Sequence, residues 1–144
     1  MKRIHLAALI ICALLWVGCG GAAHPSGHGG GAAGDNSPIG RAFETRTSNI
    51  EVEGEGVVTR ILGDDLSGSR HQRFVVRLPS GQTVLVAHNI DIAARIGGLR
   101  EGDSVRFRGE YVWNEEGGVL HWTHRDPEGR HEAGWVKCNG RTYQ

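Results

Sequence analysis

The chain has 144 residues, of which 16 are Lys or Arg and 16 are Asp or Glu, so its formal net charge is zero. Proteins that coat nucleic acid non-specifically usually carry a strong basic excess. This balance therefore argues against that function, although it leaves room for a local basic patch. A chain of this length is expected to form one small domain with one hydrophobic core.

Residues 1–19 have the pattern of an export signal. Lys2 and Arg3 provide a positive start, and an apolar run of about a dozen residues follows from Leu6 to Val17. A run of that length is typical of a signal core and is too short for a transmembrane helix. We therefore expect the mature protein to be exported.

The end of this run indicates a lipid anchor. Gly18 followed by Cys19 resembles the lipobox of bacterial lipoproteins, in which the cysteine is diacylated and becomes the new N-terminus. The resemblance implies attachment to the membrane through Cys19. In a Gram-negative organism it implies the periplasmic side of the outer membrane, because the next residue is Gly20 and not aspartate. The alternative is ordinary cleavage after Ala23, which would release a soluble periplasmic or secreted protein.

Residues 20–40 are rich in Gly, Ala and Ser, and we predict a flexible tether because they offer little apolar surface to bury. Residues 41–144 then form the domain, with 14 Lys or Arg against 15 Asp or Glu. Of the three cysteines, Cys12 lies in the signal and Cys19 would carry lipid. Only Cys138 remains, so no intramolecular disulfide is expected, and we interpret this thiol as structural or incidental.

The domain is predicted to be mainly β. Apolar residues alternate with period two between turn sequences rich in Gly, Pro, Asp and Ser, which indicates strands. One stretch with helical spacing, from Asn89 to the break at Gly97, indicates a short helix. The predicted elements are, in chain order, strands at Glu51–Leu62, Arg70–Leu78 and Thr83–His88, the helix, strands at Ser104–Asn114 and Val119–His124, and a C-terminal hairpin around Asn139 and Gly140.

This order matches the OB-fold, a curled five-stranded barrel with its helix between the third and fourth strands. Gly54 and Gly56 in the first strand fit that architecture, because a strand bends where a sheet must curl. We therefore predict a small OB-fold-like barrel with one short helix between strands 3 and 4 and an added C-terminal β-hairpin. A different small β-barrel or a β-sandwich is the alternative.

Four segments, GSRHQRF, AHNIDIA, GGVLHWTHRDP and GWVKCNGRTYQ, together resemble a family of small exported bacterial proteins of unknown function. The resemblance covers residues 54–144 and implies that these segments form one unit preceded by an export signal. It implies no activity, so any mechanism has to be inferred from the residues themselves.

Three histidines and an aspartate lie close together at the end of the fifth predicted strand. His121, His124, His131 and Asp126 offer nitrogen and oxygen donors that suit zinc or another divalent metal. Successive strand residues point to opposite faces, so His121 and His124 converge only if the strand ends or bulges between them. Two interpretations stay open. Either the three histidines bind a metal, with Asp126 ligating it or orienting a histidine, or they are structural and pack locally.

His88 ends the third strand just before the predicted helix. A helix N-terminus favours anions and disfavours a protonated histidine, so His88 could act there as a neutral base or ligand beside an anionic substrate. The alternative is that Asn89 or Asp91 simply caps the helix and His88 completes the strand.

The loop between the first two strands leads into Arg70, His71 and Arg73. In OB-folds this loop and the adjacent strand face commonly bind the ligand, and arginine holds phosphate or carboxylate groups bidentately. We therefore predict that these three residues bind an anionic substrate. Asp64 and Asp65, in the same loop, are either ligands for a hard cation or ordinary turn residues.

Two functions are compatible with these patterns. The first is a divalent-metal-dependent hydrolase for a phosphodiester or another anionic substrate, with His88, His121 and Asp126 as catalytic residues and a metal-bound hydroxide as nucleophile. The second is a non-catalytic binding module in the cell envelope that recognises a protein, a glycan or a single-stranded nucleic acid. Three tryptophans either provide stacking surfaces for such a ligand or complete the core, namely Trp113, Trp122 and Trp135.

Overall fold

The structure, a computed structural model, describes residues 38–144. This part of the chain contains the helix α1 (Pro38–Glu44) and the strands β1 (Ile50–Ile61), β2 (His71–Arg77), β3 (Thr83–Asn89), β4 (Ser104–Val112), β5 (Val119–His121), β6 (Trp135–Cys138) and β7 (Arg141–Tyr143). The predicted export signal with Cys19 and residues 20–37 of the predicted tether lie outside the described residues. No helix between residues 38 and 144 is long and apolar enough to cross a membrane.

Five strands close into a barrel in the order β1-β2-β3-β5-β4, and β4 pairs back with β1. Neighbouring strands are antiparallel except β3 and β5, which run parallel. The predicted five-stranded β-barrel is confirmed, and its strand order is that of the OB-fold. The predicted C-terminal hairpin is also present: β6 extends the sheet beside β4, and β6 and β7 are joined at Asn139 and Gly140, whose φ angles are 49° and 73°.

The first strand, β1, curls because it pairs with two different strands along its length. Residues 50–57 of β1 pair with β4, residues 57–61 pair with β2, and the register shifts between Val58 and Arg60. A Cβ at Gly56 would overlap the carbonyl oxygen of Arg77 on β2, so the close approach of the two strands at this position requires glycine. The sequence-based prediction of a glycine bend in this strand therefore has a specific steric cause.

The barrel interior is filled by alternate residues of the strands. One side chain of each successive pair points inward, which is the period-two pattern that marked these strands in the sequence. The largest fully buried side chains are Tyr111, Phe74, Phe107, Ile39, Ile96 and Leu120.

The helix predicted between the third and fourth strands is not formed there. The amide of Ala93 donates to the carbonyl of Asn89 (3.1 Å), which is a single helical turn, and the rest of the connection consists of turns. The side chain of Gln72 accepts a hydrogen bond from the amide of Ile96 (2.9 Å) and donates one to its carbonyl (3.1 Å). These backbone groups are therefore not available for the hydrogen bonds of a helix. The segment still contributes the buried side chain of Ile96 to the core.

The short helix lies instead before the first strand. α1 contributes Ile39 and Ala42 to the core, and the indole Nε1 of Trp113 donates to the carbonyl of Phe43 (3.2 Å). The folded unit therefore begins before the predicted boundary at Arg41. Sequence reasoning missed this helix because Ile39 is a single bulky residue within a segment of Gly, Ala, Ser and Pro.

We predict that Ile39→Val lowers the free energy of unfolding by about 1 kcal/mol, because it removes one methylene from a fully enclosed site. Ile39 is 1% exposed, whereas Ile92 is 45% exposed, so Ile92→Val is a matched control that should leave stability nearly unchanged. Urea unfolding of both variants measures the difference. Equal stability of the two variants would show that α1 does not belong to the core.

Candidate functional site

The histidines of the domain occupy three environments. His88 lies inside the barrel, His124 and His131 belong to the connection between β5 and β6, and His71 and His121 lie on the outer surface of the barrel. This distribution decides which of the predicted site residues can act together.

His88 lies in the barrel interior with both ring nitrogens hydrogen-bonded. It is fully buried, its Nδ1 pairs with the hydroxyl of Thr123 (2.9 Å), and its Nε2 pairs with the carbonyl of Ala94 (3.2 Å). Burial lowers the pKa of His88 to about 4, so the ring is neutral at physiological pH. The helix N-terminus on which its predicted anion-binding role depended is absent from the following segment.

The remaining predicted metal ligands do not converge. β5 ends at His121, and Trp122 adopts a left-handed backbone (φ 51°) that breaks the strand alternation. His124 is buried with its Nδ1 on the carbonyl of Arg125 (2.7 Å), and its ring is tilted against Trp122 at 5.5 Å. His131 stacks on the same indole at 3.9 Å. Among residues 38–144 no group of three or more His, Cys, Asp or Glu side chains is arranged to hold a metal ion.

Asp126 organises its own loop. Its carboxylate accepts backbone amides from Glu128 (2.9 Å), Arg130 (2.6 Å) and His131 (3.1 Å), and these bonds lower its pKa, the bond from Glu128 most strongly. The carboxylate therefore contacts the backbone of His131 and not an imidazole, which differs from the predicted role in ligation or orientation.

Arg70 and the two loop aspartates join neighbouring loops. The guanidinium Nε and the backbone amide of Arg70 both bond Asp91, at 2.6 and 2.7 Å, and the Arg70 amide is the strongest influence that lowers the pKa of Asp91. Asp64 pairs with Arg95 at 2.6 Å, and Asp65 accepts the amide of Ser67 at 3.0 Å. The β1–β2 loop is thus fastened to the β3–β4 connection, and Arg70 is partly committed to that contact.

The structure does bring together His71, Arg73 and His121, on a surface that we call the outer face: the outward side of β2, β3, β5 and the end of β4. Arg73 pairs with Ala87 on β3, and continuing the β3–β5 register places His121 beside Ala87. The charge of His71 contributes to lowering the pKa of His121, although burial is the larger cause. Two of the three predicted substrate-binding residues therefore share a surface with one predicted catalytic histidine.

An apolar row crosses the outer face. Val75 pairs with Leu85, Leu85 with Val119 and Val119 with Val112, so one outward aliphatic side chain on each of four adjacent strands forms a continuous line. All four side chains are half-buried and accessible from solvent. Strands lie roughly 4.8 Å apart, so this apolar row is about 14 Å long.

Three arginines, Arg60, Arg73 and Arg77, surround the β2 end of the apolar row, and we call them the arginine cluster. Arg73 and Arg77 lie two residues before and after Val75 on the same strand, and Arg60 is the cross-strand partner of Val75 on β1. None of the ion pairs formed between described residues uses these three guanidinium groups. The Nε of Arg73 donates to the carbonyl of Gly63 (3.0 Å), and this bond does not involve its terminal nitrogens.

Arginines on the other side of the barrel contact acids. Arg106 lies 3.1 Å from Glu53 and 3.9 Å from Glu55, and Arg108 lies 3.8 Å from Glu51 and also contacts Glu132. On the outward surface of β1 and β4, the positive charges of the arginines are therefore balanced by neighbouring carboxylates. The arginine cluster on the outer face has no such ion pairs among the described residues.

A groove of about 490 Å³ lies between β1, β4 and β6, and Val57 at its edge pairs with Arg77. Cys138 lines it, but this thiol is buried, and its pKa is raised first by burial and then by the nearby carboxylate of Asp103. A raised pKa disfavours the thiolate, which is the reactive form. This agrees with our interpretation of Cys138 as structural.

Sequence reasoning missed the apolar row and Arg60. Alternation within β2 places Arg77 on the same side as His71 and Arg73, so the sequence pattern alone could have assigned Arg77 to this surface. The apolar row depends on the registers between four strands, and Arg60 reaches this surface only through the register shift in β1. No local pattern contains that information.

Comparison with known proteins gives a family but no activity. No curated protein and no solved structure matches the chain. A family model described as "Protein of unknown function (DUF3465)" matches residues 28–144, which include every described element. The chain therefore belongs to the DUF3465 family of proteins of unknown function.

Proposed function

We propose that the domain is a non-catalytic binding module of the cell envelope and that its ligand lies on the outer face. The observation that carries this proposal is the apolar row with an arginine cluster at one end. In OB-folds the face of strands 2 and 3, between the β1–β2 and β4–β5 loops, is the usual ligand surface. The apolar row lies on that face, and the two loops flank it at opposite ends of β3.

The side-chain contacts support binding over catalysis. His88 and His124 are engaged in buried hydrogen bonds, and Asp126 is engaged with loop amides. A zinc ion held by His121, His124 and His131 would have to displace the stacking of His131 on Trp122. The metal-dependent hydrolase with a phosphodiester substrate remains a prediction from the sequence, and no arrangement among the described residues favours it over a binding module.

The test is a titration of labelled probes against the full chain, followed by fluorescence anisotropy. The probes are an acidic peptide, a dT12 oligonucleotide and a chitin oligosaccharide, which represent the three predicted ligand classes. We expect at least one probe to bind and Leu85→Thr to weaken that binding about tenfold, because a buried leucine contact contributes roughly 1–2 kcal/mol.

The matched control is Leu99→Thr, the same substitution at a half-buried leucine of the β3–β4 connection that packs against the core and lies outside the outer face. This variant should bind the same probe with unchanged affinity. Binding that weakens with Leu99→Thr but not with Leu85→Thr would contradict the proposal, as would the absence of binding by all three probes.

A further inference from the structure

We infer that the partner of the outer face is an acidic segment of another protein, in which a short aliphatic stretch is followed by carboxylate side chains. This inference rests on the proposed function, since it names the ligand class of the same surface. Charge, side-chain type and shape each contribute one step.

The charge of the surface selects an anion. Arg60, Arg73 and Arg77 converge around Val75, and the ion pairs of the described residues do not use them. Asp64, whose carboxylate interacts with the charge of Arg73, is already held by Arg95 at 2.6 Å. Guanidinium groups bind carboxylates in a planar, bidentate geometry, so incoming carboxylates fit this cluster.

The side chains of the apolar row favour a protein over the other ligand classes. Nucleic acids and sugars are typically held by aromatic side chains on which bases or sugar rings stack. The strands β2, β3 and β5 contain a single Phe, Tyr or Trp residue, Phe74, and its side chain points into the core. Their outward positions therefore carry no aromatic side chain of these three types. Valine and leucine instead match the aliphatic side chains of a protein partner.

The shape of the surface sets the length of the segment. The apolar row runs across the strands, on the outside of a curved sheet. Small-molecule sites are usually concave, so this surface suits an extended peptide better than a small molecule. An extended peptide rises about 3.4 Å per residue, so about four residues cover the 14 Å row. Carboxylates placed directly after those residues then reach the arginine cluster.

The experiment titrates three labelled peptides against the full chain: four aliphatic residues followed by four glutamates, the same peptide with glutamine for each glutamate, and the same peptide with serine for each aliphatic residue. Only the first peptide should bind well, and its affinity should fall as salt rises. Arg60→Gln with Arg77→Gln should weaken binding roughly tenfold or more, because each removes a charge-assisted contact. Arg100→Gln, an exposed arginine of the β3–β4 connection, is the matched control and should leave the affinity unchanged.

The outcomes separate this inference from the proposed function. If dT12 or vesicles of anionic lipid bind with Leu85-dependent affinity and the acidic peptide does not, the outer face is a binding surface but its partner is not an acidic protein segment. Equal affinity for the glutamate and glutamine peptides would also overturn the inference. If no probe depends on Leu85, the proposed function fails together with it.

Discussion

Gly134→Ala should lower the free energy of unfolding by roughly 3 kcal/mol, because the added methyl group has no space. A Cβ at this position would overlap the carbonyl oxygen of Trp122 and would lie 2.8 Å from the carbonyl oxygen of Arg108 and 2.9 Å from the Cα of Thr123. These are backbone atoms, so rotation of a side chain cannot relieve the overlap.

The cost follows from the position of Gly134 in the chain. Its amide donates to the carbonyl of His124 (3.0 Å), and the next residue, Trp135, begins β6 opposite Arg108 on β4. Relieving the overlap requires the start of β6 to move away from β4 and from the β5–β6 connection. We therefore expect both the loss of stability and a change in the fluorescence of Trp122 and Trp135.

Gly97→Ala is the control for this substitution. No atom lies within 4 Å of a Cβ built at Gly97, and its backbone is not left-handed, so the change should be neutral or slightly stabilising. Urea unfolding of both variants at neutral pH provides the measurement. Stabilities that agree within about 0.5 kcal/mol would show that β6 and the connection before it are not packed as described.

The strands could be predicted from the sequence because their signal is local. In β2 the alternation of Phe74 and Val76 with Arg73 and Val75 separates an inner from an outer side within a few residues. The Asn139-Gly140 turn is equally local, since both residues must adopt positive φ. Local signals of this kind were sufficient to give the barrel and its hairpin.

The missing helix after β3 shows where local signals fail. The spacing of Ile92, Ile96 and Leu99 is helical, but the backbone groups of Ile96 are bound by Gln72, which is 24 residues away in sequence. A side chain on a different strand thus competes for the amide and carbonyl that a helix would use. Such competition depends on the finished barrel and leaves no trace in the local pattern.

The sequence could not predict how the histidines are arranged, for a related reason. The spacing of His121 and His124 left open whether the strand breaks between them, and the left-handed Trp122 shows that it does. The break does not join the two rings, because His124 turns into the protein while His121 stays on the outer face. The surface that replaces the predicted site is assembled by strand registers, which single-strand patterns do not specify.

The unfolding free energy of the protein should fall by about 3 kcal/mol between pH 6.5 and pH 4 through His88 alone. The pKa of His88 is about 4 in the folded protein, chiefly because burial disfavours the charged ring, against an ordinary value of 6.5 in the unfolded chain. Between these two values the unfolded chain takes up a proton that the folded chain does not. The stability contributed by neutral His88 is therefore fully present above pH 6.5 and is lost as the pH falls towards 4.

His88→Gln isolates this contribution from the other titrating groups. Glutamine is uncharged throughout the range, so the stability of the unmodified protein relative to the variant should fall by about 3 kcal/mol from pH 6.5 to pH 4, and the variant should be the more stable of the two at pH 4. At neutral pH the variant should be less stable by roughly 2 kcal/mol, because it replaces two buried hydrogen bonds, to Thr123 and Ala94, imperfectly.

Thr123→Val distinguishes the charge of His88 from its hydrogen bonds. This variant removes the hydroxyl that pairs with Nδ1 at 2.9 Å, but it leaves the imidazole buried and titratable. It should therefore be destabilised at neutral pH and still lose stability between pH 6.5 and pH 4 as steeply as the unmodified protein. If His88→Gln and Thr123→Val instead show the same pH dependence in urea unfolding, burial of neutral His88 is not the source of the acid sensitivity.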